Sequence, residues 1–241
     1  MNSVEHLRWF ADNVRFFESI DEEHLPLDVV TCDGWDIEKL LTHLSFGLGV
    51  CYPIAASAPP ETESELVFAN ADRSATTAVG LEALDTFRTN IFSCLELLGS
   101  MEPDKPCWTY SGPGTVSFWI RRAAVETTIH RYDAECALGL TPDVPSPERL
   151  RDGIDETLDF AFELACTKIG APESTLHIAA DDITLHRSIG NGDPSVTLTG
   201  EGHAMLLSLW GRPQSGHIGL NGDEDSAADW LGLVSRAFAG R

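Results

Sequence analysis

The stretch from Trp119 to Ala137 constrains this chain more than any other. At 100° per residue, Trp119, Ala123, Glu126, Thr127, His130, Asp133, Ala134 and Ala137 fall within about 60° of a common line. That stripe predicts a helix with this side turned to a core. Its middle nevertheless carries a carboxylate and an imidazole four residues apart. One helical turn separates Glu126 from His130, so both side chains reach the same point in space. A buried glutamate is costly unless it is paired or ligates a metal. The pair is therefore either two ligands of one metal ion or a satisfied Glu–His hydrogen bond inside a helix bundle.

Five helices account for the first two-thirds of the chain. Leu7, Phe10, Val14 and Phe17 mark one from Val4 to Ile20. After the Gly34-Trp35 break, Asp36 is a good N-cap for a second helix, with Ile37, Leu40, Leu41, Leu44 and Leu48 as its apolar stripe. His43, Gly47 and Val50 lie on a second side of that helix, so His43 either faces the interior of a bundle that sandwiches the helix or is a half-exposed polar residue. Residues 53 to 75, with Pro53, Pro59 and Pro60, predict a surface loop. A third helix runs from Thr76 or Thr77 to Leu98. Gly99 to Gly114 predicts another loop, whose Trp108 and Tyr110 line a pocket or plug one end of the bundle. The Trp119 stretch is the fourth helix. A fifth, from Glu148 to Cys166, is appended to the four-helix bundle.

The pattern changes after Gly170-Ala171-Pro172. Thr175–Ala179, Ile183–Ile189, Ser195–Thr199 and His217–Leu220 predict strands. A short helix spans Gly202–Leu209, the break Trp210-Gly211-Arg212-Pro213 follows, and a last amphipathic helix covers Asp225–Ala239. The expected fold is thus α+β in two domains: residues 1–170, a four-helix bundle that binds metal, and residues 171–241, a small α/β domain.

Composition narrows the partners. Acidic residues outnumber basic ones by 38 to 16, for a formal net charge of −22. That leaves no basic footprint for nucleic acid or for an anionic membrane surface. An anionic substrate would need local positive charge, from a metal or from a few arginines. No apolar run reaches the roughly 18 residues of a membrane span, and the first residues lack the pattern of a signal peptide, so a cytoplasmic location is expected. The six cysteines form no C-x-x-C pair and sit singly in apolar or helical contexts, as small buried hydrophobes do. The oligomeric state leaves no mark on the pattern.

His43, Glu126 and His130 are the candidate ligands. Two imidazoles and one carboxylate suit a divalent first-row ion, most often zinc, and three protein ligands leave a fourth position open. Asp133, one turn beyond His130, is placed to accept the free imidazole N–H, or else to pair with an arginine such as Arg131. His24, His177, His186, His203 and His217 compete with His43 for the third place.

Four motifs in order resemble the mycothiol-dependent maleylpyruvate isomerase family. They are Gly34-Trp35 with Leu40-Leu41-Thr42-His43-Leu44, the run from Trp119 to Glu135, Asp152-Gly153-Ile154-Asp155-Glu156, and Leu206-Leu207-Ser208-Leu209-Trp210-Gly211-Arg212. The resemblance implies a DinB-like four-helix bundle followed by a small α/β domain. It also implies zinc on the residues matching His43, Glu126 and His130, and mycothiol as thiol cosubstrate. Two positions depart from the family pattern: Asp33 stands where a proline is usual, and Val125 where a histidine is common.

The chemistry so implied is thiolate addition to an activated double bond, rotation about the resulting single bond, and elimination of the thiol, or else thiol transfer. The substrate is a small organic molecule, anionic in this reading. Arg212 is expected either to reach over from the C-terminal domain and bind its carboxylate, or to be a structural arginine that ends a helix. The same ligands also suit a hydrolase that activates water, or a non-catalytic module in which the metal only staples the bundle.

Overall fold

The computed structural model describes residues 1–212 and 217–238, apart from the side chain of Phe238. It forms two compact units, Asn2–Asp143 and Val144–Arg241, with Met1 grouped in the second. The expected boundary at Gly170 thus moves to Asp143–Val144. The fifth helix belongs with the strands because its apolar side is taken up by helices of that unit.

The first unit is a four-helix bundle. α1 (Ser3–Phe17) starts at a capping box in which Asn2 and Glu5 satisfy each other's backbone N–H, a device worth about 1 kcal/mol. α2 (Ile37–Ser57) follows Gly34, whose φ of +70° is a conformation that suits glycine. Asp36 caps α2 by accepting from the Lys39 N–H at 2.8 Å. α2 runs through Pro53, where a loop was expected. A proline inside a helix lacks the N–H for the ladder and crowds the carbonyl four residues back. A π-turn at Gly47–Cys51, closed by the Tyr52 N–H on the Gly47 carbonyl, shifts the ladder just before it and accommodates the ring. By length and composition alone α2 could cross a membrane. Its Leu40, Leu41, Leu44 and Leu48 are buried in the bundle core.

α3 (Gly80–Ser100) comes next. The Gly- and Pro-rich segment after it is a hairpin of β1 (Pro106–Thr109) and β2 (Gly112–Thr115), not a loop. Trp108 is buried there, with its ring 6.3 Å from that of Trp119 and nearly parallel to it. Its ring packs into the apolar core of the bundle. α4 (Val116–Ala137) is the central helix. It is buried on nearly every side, well beyond the predicted stripe, as befits a helix enclosed by neighbours.

The second unit begins with α5, made of Pro147–Glu156, a π-turn Thr157–Phe162 and Glu163–Ile169. Its sheet has the order β4-β3-β5-β6, with β3 (Thr175–Ala180), β4 (Leu185–Ile189), β5 (Ser195–Gly200) and β6 (Ile218–Gly222). β3 and β5 are parallel and the outer pairs antiparallel. Leu176 and Ile178 of β3 and Val196 and Leu198 of β5 turn inward in alternation. α6 (Gly202–Leu209), α7 (Glu224–Leu231) and α8 (Leu233–Phe238) complete the unit. Trp230 of α7 donates to Ser174 Oγ at 2.9 Å and stacks on Phe162. Pro213 of the expected break and Ala239 of the expected last helix lie outside the described residues.

Candidate metal centre

Glu126 and His130 occupy successive turns of α4, and His43 faces them from α2. The Nε2 atoms of His43 and His130 lie 3.3 Å and 3.4 Å from one oxygen, Glu126 Oε1. One donor atom from each residue falls within 4.8 Å of the other two. Among the described residues this is the one group of three or more His, Cys, Asp and Glu side chains so arranged. Of the competing histidines, His24 accepts from the Asp21 N–H, and His177 shares a hydrogen bond with Ser188.

The surroundings orient these donors. Asp133 is fully buried, and its Oδ2 lies 2.9 Å from His130 Nδ1. A carboxylate only accepts, so Nδ1 carries a proton, and Nε2 is the ring atom left facing Glu126 Oε1. Thr31 donates to Asp133 Oδ1 at 2.5 Å and Cys32 to Oδ2 at 3.6 Å. Trp35, delivered by the Gly34 turn, stands beside both imidazoles, with ring centroids 5.0 Å from His43 and 6.1 Å from His130. His43 keeps 33% of its side-chain surface exposed, so the cluster is open on that side.

The electrostatics make Glu126 the anionic member of the set. Burial by itself would raise the Glu126 carboxyl, but Arg122 and the two histidines outweigh it and hold the group well below the ordinary carboxylate range. Glu126 is therefore an anion. Burial likewise pulls His130 down, and the hydrogen bonds to Asp133 and Glu126 turn the balance upward. The three donors carry one formal negative charge, so a divalent ion would leave the centre net positive. The donor set, with its open side and its oriented imidazole, fits such an ion.

Residues 8–135 match the family model described as the mycothiol maleylpyruvate isomerase N-terminal domain. The chain belongs to this family. Two solved structures are similar to it along nearly their whole length. One is the mycothiol-dependent maleylpyruvate isomerase, at 15% identity and a TM-score of 0.61. The other is a histidine-to-alanine mutant of such an isomerase, at 14% identity and 0.60. Each comparison covers 92% of this chain and 93% of the other, and at that identity it shows a shared fold. No curated protein matches the chain.

In this member of the mycothiol maleylpyruvate isomerase family, three of the four predicted site residues meet: His43, Glu126 and His130. Arg212 belongs to the other unit, where Gly211, at φ +70°, ends α6. Arg212 donates its backbone N–H to the Leu207 carbonyl at 2.9 Å, and Gly211 donates to Ser208 at 3.0 Å, the paired bonds of a Schellman cap. The Arg212 guanidinium donates to the Trp210 carbonyl at 2.8 Å. Arg122 was missed by the sequence reading. It lies one turn before Glu126, as His130 lies one turn after, and donates to Glu126 Oε2. The spacing that found His130 also finds Arg122. Thr31 and Cys32 were missed as partners of Asp133, because nothing local links them to α4.

Proposed function

We propose that this chain is a thiol-dependent enzyme in which His43, Glu126 and His130 hold one divalent first-row ion, zinc foremost. Mycothiol serves as cosubstrate for cis–trans isomerisation of, or thiol transfer to, a small anionic organic substrate. The observation that carries the reading is the convergence of two imidazole nitrogens on one carboxylate oxygen, in a chain of this family. When bound, such an ion is a Lewis acid that lowers the pKa of a thiol entering the open position. Asp133 orients His130, Glu126 supplies the negative charge, and Trp35 stands beside both imidazoles.

Four of the protein's six thiols are poor nucleophiles. Burial raises Cys94, Cys107, Cys136 and Cys166 above the ordinary thiol range, which favours an external thiol. Arg212 is proposed to bind the substrate carboxylate, since a guanidinium can grip both carboxylate oxygens at once. The acidic composition supports an enzyme with no nucleic-acid partner.

The test is metal analysis joined to a thiol assay. The purified protein should hold about one zinc per chain, and His130→Ala should lose it. Maleylpyruvate, or a related cis-dienoic acid, should turn over only when mycothiol is added. Arg212→Ala should slow turnover with the metal retained. Full metal retention in His130→Ala would remove the centre, and turnover without any thiol would point to hydrolysis.

A further inference from the structure

The two oxygens of Glu126 face different partners. Oε1 lies between the imidazoles of His43 and His130. Oε2 accepts from the guanidinium of Arg122, which is 3% exposed. A guanidinium so buried is costly without a counter-charge, and Glu126 supplies one. Tyr52, from the helix that carries His43, also hydrogen-bonds Arg122. Burial and the nearby Glu126 push the Tyr52 phenol well above its ordinary range, so it stays a neutral partner and leaves the arginine's charge to Glu126.

We infer that Arg122 is a positioning residue that restricts Glu126 to ligation through one oxygen and so keeps a coordination position free for an anionic thiolate. A carboxylate with two free oxygens can chelate a cation through both. Here a second bond from Oε2 would have to displace a buried, charge-assisted hydrogen bond, one of the stronger kinds. The guanidinium also adds its charge to the field that an incoming anion meets. The inference rests on the metal reading of His43, Glu126 and His130.

Cobalt(II) alone, loaded into the metal-free full-length protein, is the first probe, and mycothiol the second. The wild type should give the intense visible absorption of a low-coordinate ion. Arg122→Met should bind cobalt no more weakly yet give a fainter band, as Glu126 adds its second oxygen. Its affinity for mycothiol, read from the thiolate-to-cobalt absorption, should fall on the order of tenfold. Arg122→Lys, which keeps a cation able to reach Oε2, should restore the wild-type band. If Arg122→Met does not fold, Tyr52→Phe takes its place, with a shift in the same direction. A wild-type band and mycothiol affinity in the variant would overturn the inference, and so would loss of cobalt and mycothiol binding together, the mark of a purely structural role. A wild-type protein that takes up no cobalt would instead sink the metal reading.

Discussion

Asp133 is the residue on which the candidate centre turns. It has no exposed surface, and three donors surround it: His130, Thr31 and Cys32. Replacing a partner that orients a metal-binding imidazole weakens metal affinity about 10- to 100-fold. Asp133→Ala should therefore weaken zinc binding by that factor while His43, Glu126 and His130 remain in place; equilibrium dialysis measures it. Cysteine reactivity checks a second point at this scale. Cys94 and Cys107 are fully buried, and burial raises both thiols. Alkylation at neutral pH should leave both unmodified in the native protein and label both after unfolding, as mass spectrometry reads directly. The Glu126–His130 pair was legible residue by residue, because a spacing of four always places two helical side chains together. Arg122 was equally legible by that rule. Its donation to Glu126 gives the lone-seeming carboxylate its counter-charge.

Between elements, the register of α1 against α4 rests on one buried amide. Asn13 Nδ2 donates to Thr127 Oγ1 at 3.0 Å, to Thr128 Oγ1 at 2.8 Å and to the Ala124 carbonyl at 3.3 Å. Both hydroxyls in turn donate to carbonyls of their own helix. Asn13→Leu should destabilise the fold by about 1–3 kcal/mol, the cost of stripping partners from buried polar groups. A midpoint shift in urea with an unchanged slope would show it. The helices themselves were legible, since their apolar residues recur with period 3.6 over three turns or more. The hairpin Pro106–Thr115 was not, because its glycines and prolines signal a loop until the strands find each other and the bundle. The passage of α2 through Pro53 was hidden for a related reason: a π-turn leaves no mark in the hydrophobic pattern.

At the scale of the molecule, the core of the first unit does not depend on an ion. Trp9, Phe10, Phe17, Leu40, Leu41, Phe87 and Trp119 bury their side chains in one apolar cluster. The charged groups around the candidate centre already satisfy one another: Glu126 with Arg122, and His130 with Asp133. Among the described residues no buried side-chain nitrogen or oxygen lacks a hydrogen-bond partner. Chelation should therefore abolish thiol-dependent turnover while far-UV circular dichroism stays unchanged; unfolding on chelation would favour the stapled, non-catalytic reading. The sequence by itself determined the helical class of the first unit, the α+β character of the second and the Glu126–His130 pair. All three follow from periodicities that act over a few turns or a few strand residues. Tertiary structure alone decided that Thr31 and Cys32 hold Asp133 and that the fifth helix groups with the sheet, and it brought His43, already singled out by its motif, to the pair on α4. Those outcomes depend on which faces of distant segments bury against each other, and no local spacing encodes that choice. The pair on α4, at first balanced between a metal site and a hydrogen bond, becomes a candidate centre only when α2 brings a second imidazole to the same oxygen.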